Sequence, residues 1–405
     1  MSLFKFSRLN FHQDFFEKRI MPPFCTNVNN KISNQDFFNK NTYDADLYPK
    51  GVIALNMVPP YLELEINALK SIFACYKAPT HKGFFIDIQE FDTIDAYLKF
   101  KFNSNSRYNL RNRLKRLETC FDISYKMYYG EIDKNHYDFL FDELEQMIQK
   151  RFNERKDKHA HIWNWDFYKN SVYSLILNKG ASLFVIYNKN KPIGITINYL
   201  HQNIFEYAIP SYDINYSKFG IGNVVIMKQL EWCFQNGYKI MSMGWGDLDY
   251  KRAWCNVISK YESQVFYDKK KINEKLLAHF YVKLIVFKIY LKEKYFLRIN
   301  RLIKLFKKKS SNKTKINIKN DLLNISDKFL NNDSYKIDIY KSEYSFLLPH
   351  IYNFQYINLV NSKDIEVYKI DENQETNSFI ISGKSKIEKI KFFSLLFFLL
   401  FMLHI

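Results

Sequence analysis

What this 405-residue chain lacks narrows the choices first. Its five cysteines, Cys25, Cys75, Cys120, Cys233 and Cys255, are odd in number and contain no C-x-x-C pair. A disulfide framework or a zinc site is therefore not expected, and reduced thiols in a cytosolic compartment fit better. The first twenty residues mix Phe with Lys, Arg, Asp and Glu and hold no apolar stretch, so they do not read as a signal peptide. The apolar run Phe392–Ile405 has 14 residues, short of the ~20 that a spanning helix needs. His159 and His161 are the closest histidine pair, and two positions apart they do not share a helix face, so no metal site is expected. No internal repeat is visible.

What is present is enough apolar material for a sizeable core. Hydrophobic residues make up 47% and aromatics 18%, which argues against wholesale disorder, and the length suits two or three domains. The net charge of +18 is uneven. Residues 269–319 hold 17 basic and 2 acidic side chains, a net of +15. A partner that attracts cations, anionic membrane or nucleic acid, therefore attaches to that segment.

Residues 1–80 give short apolar runs punctuated by proline. A strand is expected over Gly83–Phe91 and a short helix over Asp92–Phe102. Ser104–Glu118 reads as a basic amphipathic helix, with Ser104 or Ser106 as N-cap and Leu110, Leu114 and Leu117 at helical spacing. A strand over Phe121–Tyr129 and helices over Asn135–Arg151 and Asp166–Asn178 follow. Ala181–Tyr187, Ile193–Leu200 and Ile204–Ile209 form an antiparallel meander with short turns. A glycine loop, Ser217–Asn223, then opens a helix that Asn236-Gly237 ends. Lys239–Met243 returns as a strand, Tyr250 begins a helix or loop, and Ser263–Tyr267 is a last strand. Beyond it, apolar residues from Leu277 to Phe306 recur about every 3.6 positions, the helical period. Ser310–Lys319 reads as a linker. YKIDIY, YINLV, IEVYKI and SFIIS suggest a small β-rich unit.

The glycine loop carries the chemistry most clearly. A strand leading through a loop into a helix exposes unpaired N–H groups at the helix N-terminus, and these favour a phosphate. Gly220 and Gly222 let backbone approach a pyrophosphate closely.

With the basic opening helix (SRYNLRNRLKRLE), the meander (KPIGITINYL), the exit FEYAIPSYDINYSKFGIG and the closing GWGDLDYKRAW, residues 104–255 resemble the FemAB/CelD-like branch of the GNAT superfamily. Gly246, Tyr250, Lys251 and Trp254 fill its closing signature. The resemblance implies an α/β fold with a mixed sheet, a GNAT-like acyltransferase core (104–268) and a partial N-terminal lobe (1–103); the sequence pattern adds a basic helix (269–309), a linker (310–320) and a small C-terminal β-rich region (321–405). The resemblance also implies acetyl-CoA or another acyl-CoA as co-substrate. Contacts would come from Ile209, Ser217, Lys218, Gly220, Ile221, Gly222 and Asn223. Ser217 stands where GNAT enzymes usually carry Gln or Arg, which removes one donor to the pyrophosphate; Lys218 is the available compensation.

Acyl transfer to an amine needs a proton removed from the ammonium and one returned to the thiolate. Glu206, in the third meander strand, is the candidate base or else a cross-strand polar partner. Tyr250 is the candidate acid or else packing. Asp247 and Asp249 orient an amine or cap the next helix, and Lys251 meets a phosphate or solvent. The basic helix Arg107–Arg116, Arg107 and Arg111 foremost, grips a phosphate-bearing substrate or faces water. The reading that follows is an N-acyltransferase of envelope or polysaccharide biosynthesis, acting on an amino sugar or a lipid-linked amine. It would be cytoplasmic and peripheral on the inner membrane face through 274–309. The rivals are a FemX-like aminoacyl-tRNA-dependent transferase acting on a peptidoglycan precursor, and a catalytically silent membrane-associated binding module.

Overall fold

A computed structural model describes residues 5–22, 24–38, 51–66, 72–155, 164–309, 334–373, 376–384 and 386–393. The N-terminal stretch gives β1 (Phe6–Asn10), β2 (Asn27–Asn30), β3 (Gln35–Phe38), β4 (Val52–Val58), β5 (Leu62–Glu65) and the long β6 (Phe73–Asp87). Next come α1 (Ile94–Lys101), α2 (Ser104–Cys120), β7 (Ile123–Tyr128), α3 (Lys134–Arg155) and α4 (Trp165–Leu177). The meander is β8 (Ala181–Asn188), β9 (Lys191–His201) and β10 (Ile204–Tyr212), followed by α5 (Ile221–Gln235), β11 (Ile240–Trp245), α6 (Asp249–Trp254) and β12 (Val257–Asp268). The chain continues with α7 (Ile272–Lys309), β13 (Ser334–Lys336), α8 (Leu348–Asn358), β14 (Ile365–Asn373), β15 (Thr376–Gly383) and β16 (Lys386–Phe393).

Nine of the described strands make one mixed sheet in the order β1-β4-β12-β6-β11-β10-β9-β8-β7. Its meander strands are apolar on both faces, the pattern of a sheet covered on each side. Alternation sorts them, except at Ile193, where the β8–β9 register skips one residue and shifts the facing. Phe184, Ile186, Ile193 and Phe205 point to the face covered by α2 and α5. Leu183, Val185, Ile195, Ile197 and Ile204 point to the face covered by α3, α4 and the N-terminal stretch. Strand β12 slots between β4 and β6, antiparallel to both. The N-terminal strands therefore extend the same sheet across residue 104.

Several local readings change. The N-cap of α2 is Asn103, whose side chain accepts from the Ser106 amide at 2.8 Å; Ser104 and Ser106 are already helical. Strands β6 and β12 are far longer than the short runs that suggested them, because each is paired along most of its length. YINLV is not a strand: most of it closes α8, whose buried side chains Ile351, Tyr352, Phe354 and Gln355 follow helical spacing. The antiparallel sheet β13-β14-β15-β16 and α8 share a continuous core with α2 and α5 through Ile351, Tyr352 and Phe354. The linker 310–320, His159, His161 and residues 394–405 of the terminal apolar run lie outside the described residues. Among the described residues no helix is long and apolar enough to cross a membrane.

Candidate functional site

The sheet opens at one place. Strands β10 and β11 run parallel and pair only through Ile204↔Ile240, Phe205↔Met241 and Glu206↔Ser242. Beyond Glu206, β10 stays with β9 but its register skips Ala208 between Tyr207 and Ile209. Such a bulge bends the strand away and takes one residue out of the ladder. On the other side, Gly244 has φ +65° and Gly246 φ +97°, so β11 also turns aside. The two strands part like a V whose apex is Glu206 and Ser242.

A cavity of 570 Å³ fills one side of this parting, lined by Arg113, Arg151, Tyr207, Ala208, Pro210, Tyr212, Ser217, Gly220 to Asn223, Ile226 and Leu248 to Tyr250, with Phe152. That volume is within the ~300–1,000 Å³ usual for small-molecule sites. Its upper wall is the start of α5, where Gly220 adopts φ +68° as N-cap without a side chain to cap the first turn. The orphan amides are thus left for a ligand. Residues 214–219 form a 3-10 turn before it, so the glycine loop is shorter than Ser217–Asn223. The Arg113 side chain crosses directly over Gly220: a β-carbon there would stand 2.9 Å from Arg113 Cδ and 3.3 Å from a guanidinium nitrogen. Arg151 lies 4.6 Å from the centre of the Tyr212 ring. Two guanidiniums therefore flank the helix N-terminus. Asn223 Oδ1 accepts from Trp254 Nε1 at 2.9 Å, which ties the loop to the closing GWGDLDYKRAW segment.

On the opposite face of β10, Glu206 is 2% exposed. His12 Nε2 lies 3.2 Å from its Oε1, yet the two are not aligned as a hydrogen bond. Both imidazole nitrogens and Glu206 Oε2 are unpartnered among the described residues. A buried carboxylate oxygen without a donor is costly to keep, and such exceptions call for a reason. The His12 ring stands edge-on to Trp245 and Tyr261. Burial pushes the Tyr61 and Tyr261 phenols well up, and the Glu206 charge adds to this. Burial also lowers the Lys251 ammonium to about 8, against the pull of Glu206 and Cys255. Lys251 Nζ donates to the Trp245 carbonyl at 2.6 Å.

The residues singled out from the sequence divide accordingly. Tyr250, Ser217, Gly220, Ile221, Gly222 and Asn223 line the cavity. Glu206 sits at the apex on the far face, and Ile209, 1% exposed, belongs to the core of that face. Lys218 turns toward the Tyr356 ring, 5.7 Å from its centre. Asp247 pairs with Lys82 at 3.4 Å and with Arg252. Arg107 caps the preceding segment by donating to the Phe102 carbonyl, and Arg111 pairs with Asp95 at 2.8 Å on the surface. The arginine of α2 that reaches the cavity is Arg113. Arg151, His12 and Trp245 were not identified: packing between distant parts of the chain assembles them, and no local pattern marks them. Among the described residues no three His, Cys, Asp or Glu side chains gather into a metal-binding group.

Residues 104–252 match the family described as "Acetyltransferase (GNAT) domain". The match covers that stretch and not the chain as a whole. No curated protein matches it. Among solved structures, a Bacteroides thetaiotaomicron VPI-5482 protein of unknown function is 10% identical, over 54% of this chain and 70% of that one, with a TM-score of 0.35. FemX is 10% identical over 53% and 72%, with a TM-score of 0.38. A tandem GNAT protein from the clavulanic acid biosynthesis pathway is 8% identical over 55% and 65%, with a TM-score of 0.28. Each likeness is faint.

Proposed function

We propose that this chain moves an acyl group, acetyl in the simplest case, from acyl-CoA to a primary amine, an amino sugar of envelope or polysaccharide biosynthesis. One observation carries the reading: an anion-adapted cavity, with free helix amides and two guanidiniums, lies against β10 at the bulge where that strand leaves β11. The amides of α5 with Arg113 and Arg151 hold the diphosphate of the coenzyme. Arg113 does the work that a Gln or Arg in place of Ser217 would do. When bound, the coenzyme supplies an activated thioester.

The remaining chemistry belongs to the chain. Glu206 takes a proton from the acceptor ammonium, and the freed nitrogen attacks the thioester carbon. The carbon–sulfur bond breaks, Tyr250 gives a proton to the departing thiolate and regains one from the second proton that the acylated nitrogen sheds, and Glu206 returns its own to solvent. The backbone of Ala208, set out of the ladder by the bulge, is placed to meet the charge that develops on the carbonyl oxygen.

Calorimetry with coenzyme A, followed by acetyl transfer to a panel of amino sugars, tests this. Glu206→Gln should lower kcat by about 10²- to 10⁴-fold with coenzyme affinity unchanged. Absence of coenzyme binding in the parent chain, together with binding of aminoacyl-tRNA, would replace this reading with tRNA-dependent transfer.

A further inference from the structure

Helix α7 has two apolar faces and only one is covered. Leu277, Ala278, Tyr281 and Val282 pack on Val52, Ala54, Val265 and Tyr267 of the sheet. On the other side Ile272 is 68% exposed, Leu276 63%, Phe280 61% and Phe287 55%. Leu284, Val286 and Tyr290 join them in the open. At ~100° per residue these positions sweep an arc of about 160°, and Lys283 and Lys294 fall within it. Exposed apolar patches of this kind mark interaction sites. The helix as a whole holds 11 basic and 2 acidic residues.

We propose that this face docks on an anionic lipid bilayer, with α7 lying in the plane of the surface. The observation is independent of the acyl-transfer reading. Bulky aliphatic and aromatic side chains interspersed with lysines match a headgroup layer above acyl chains. A nucleic-acid backbone engages the lysines and leaves the phenylalanines and leucines in water. A second copy brings a net +9 against a net +9, which repels. Among the described residues no helix is long and apolar enough to cross a membrane.

The test is flotation of the full chain with vesicles of phosphatidylcholine alone and of phosphatidylcholine mixed with phosphatidylglycerol. The chain should float with the mixed vesicles at low salt, and release as salt rises. The variant Leu276→Asn/Phe280→Asn/Phe287→Asn should lose at least about 10-fold in vesicle affinity. Lys283→Gln should lose about 5-fold on mixed vesicles only. Because these side chains are exposed, the variants keep the fold, checked by unchanged circular dichroism and melting. Three results overturn the proposal: no flotation with mixed vesicles, a triple variant that floats like its parent, or binding to a short RNA without binding to vesicles.

Discussion

Helices α2 and α7 look alike as sequence, each a basic helix with an apolar stripe, yet the fold uses them in opposite ways. In α2 most of the arginines are committed within the molecule. Arg107 caps the preceding segment, Arg111 pairs with Asp95, Arg113 covers the glycine loop, and Arg116 donates to the Tyr356 carbonyl while lying over that ring. In α7 the sheet takes one stripe and leaves a second, with its lysines, outside. A basic amphipathic pattern therefore reports surplus charge along a helix and not its destination. Destination depends on what the tertiary fold brings alongside, which for α2 is a cavity on one side and α8 on another.

The sharpest way to separate the arginines of α2 is to remove them singly. Arg113→Ala should weaken coenzyme A binding most. A charge-assisted hydrogen bond of about 1.5–3 kcal/mol corresponds to about 10- to 150-fold in Kd. Arg107→Ala and Arg111→Ala should leave Kd within about 2-fold, since neither side chain lines the cavity. Calorimetry on the three variants decides. Equal losses would mean that α2 acts as a diffuse basic surface, like α7.

Arg116 should show a smaller effect, and on stability more than on binding. It joins α2 to α8 through a backbone hydrogen bond and a ring contact. Cys120 and Asn361 add neighbouring contacts, Cys120 with the Gln355 carbonyl and Asn361 with the Thr119 carbonyl at 2.9 Å. Arg116→Ala should cost about 1–2 kcal/mol and speed hydrogen exchange in α8 ahead of the meander strands. Uniform protection across both regions would show that the C-terminal unit is held by its apolar core alone.

The meander, the glycine loop, the α5 helix and the closing segment were legible because each is local: alternation, turn spacing, a paired glycine and one short signature. What stayed hidden is long-range. Nothing near Ser263 announces that β12 will run from Val257 and separate β4 from β6. Nothing near His12 announces a carboxylate 194 positions on in the sequence. YINLV misled because a short apolar run suits either a strand or a buried helix, and packing chose the helix. The candidate site was half legible for the same reason. Its anion-binding end comes from one contiguous stretch, whereas the Glu206 end is assembled from the N-terminal stretch, β10, β11 and α6.

Lys251 marks a third use of a basic side chain, neither paired at a surface like Arg111 nor exposed like Lys283. It is 7% exposed, and burial lowers its ammonium to about 8 from the ordinary ~10.4 of the unfolded chain. The sign of its contribution follows. Below about 8 the side chain is protonated in both states, and the folded protein bears the full cost of a buried charge. Between about 8 and 10.4 the unfolded chain binds more protons than the folded one, so stability gains from this group as pH rises. Lys251→Met removes the cost and should flatten that part of the profile, leaving the variant's advantage largest near neutral pH. Urea midpoints measured across pH 7 to about 10 would read this directly. A variant whose midpoint runs parallel to the parent's through the whole window would mean that Lys251 keeps an ordinary ammonium. Its hydrogen bond to the Trp245 carbonyl would then be the whole of its role.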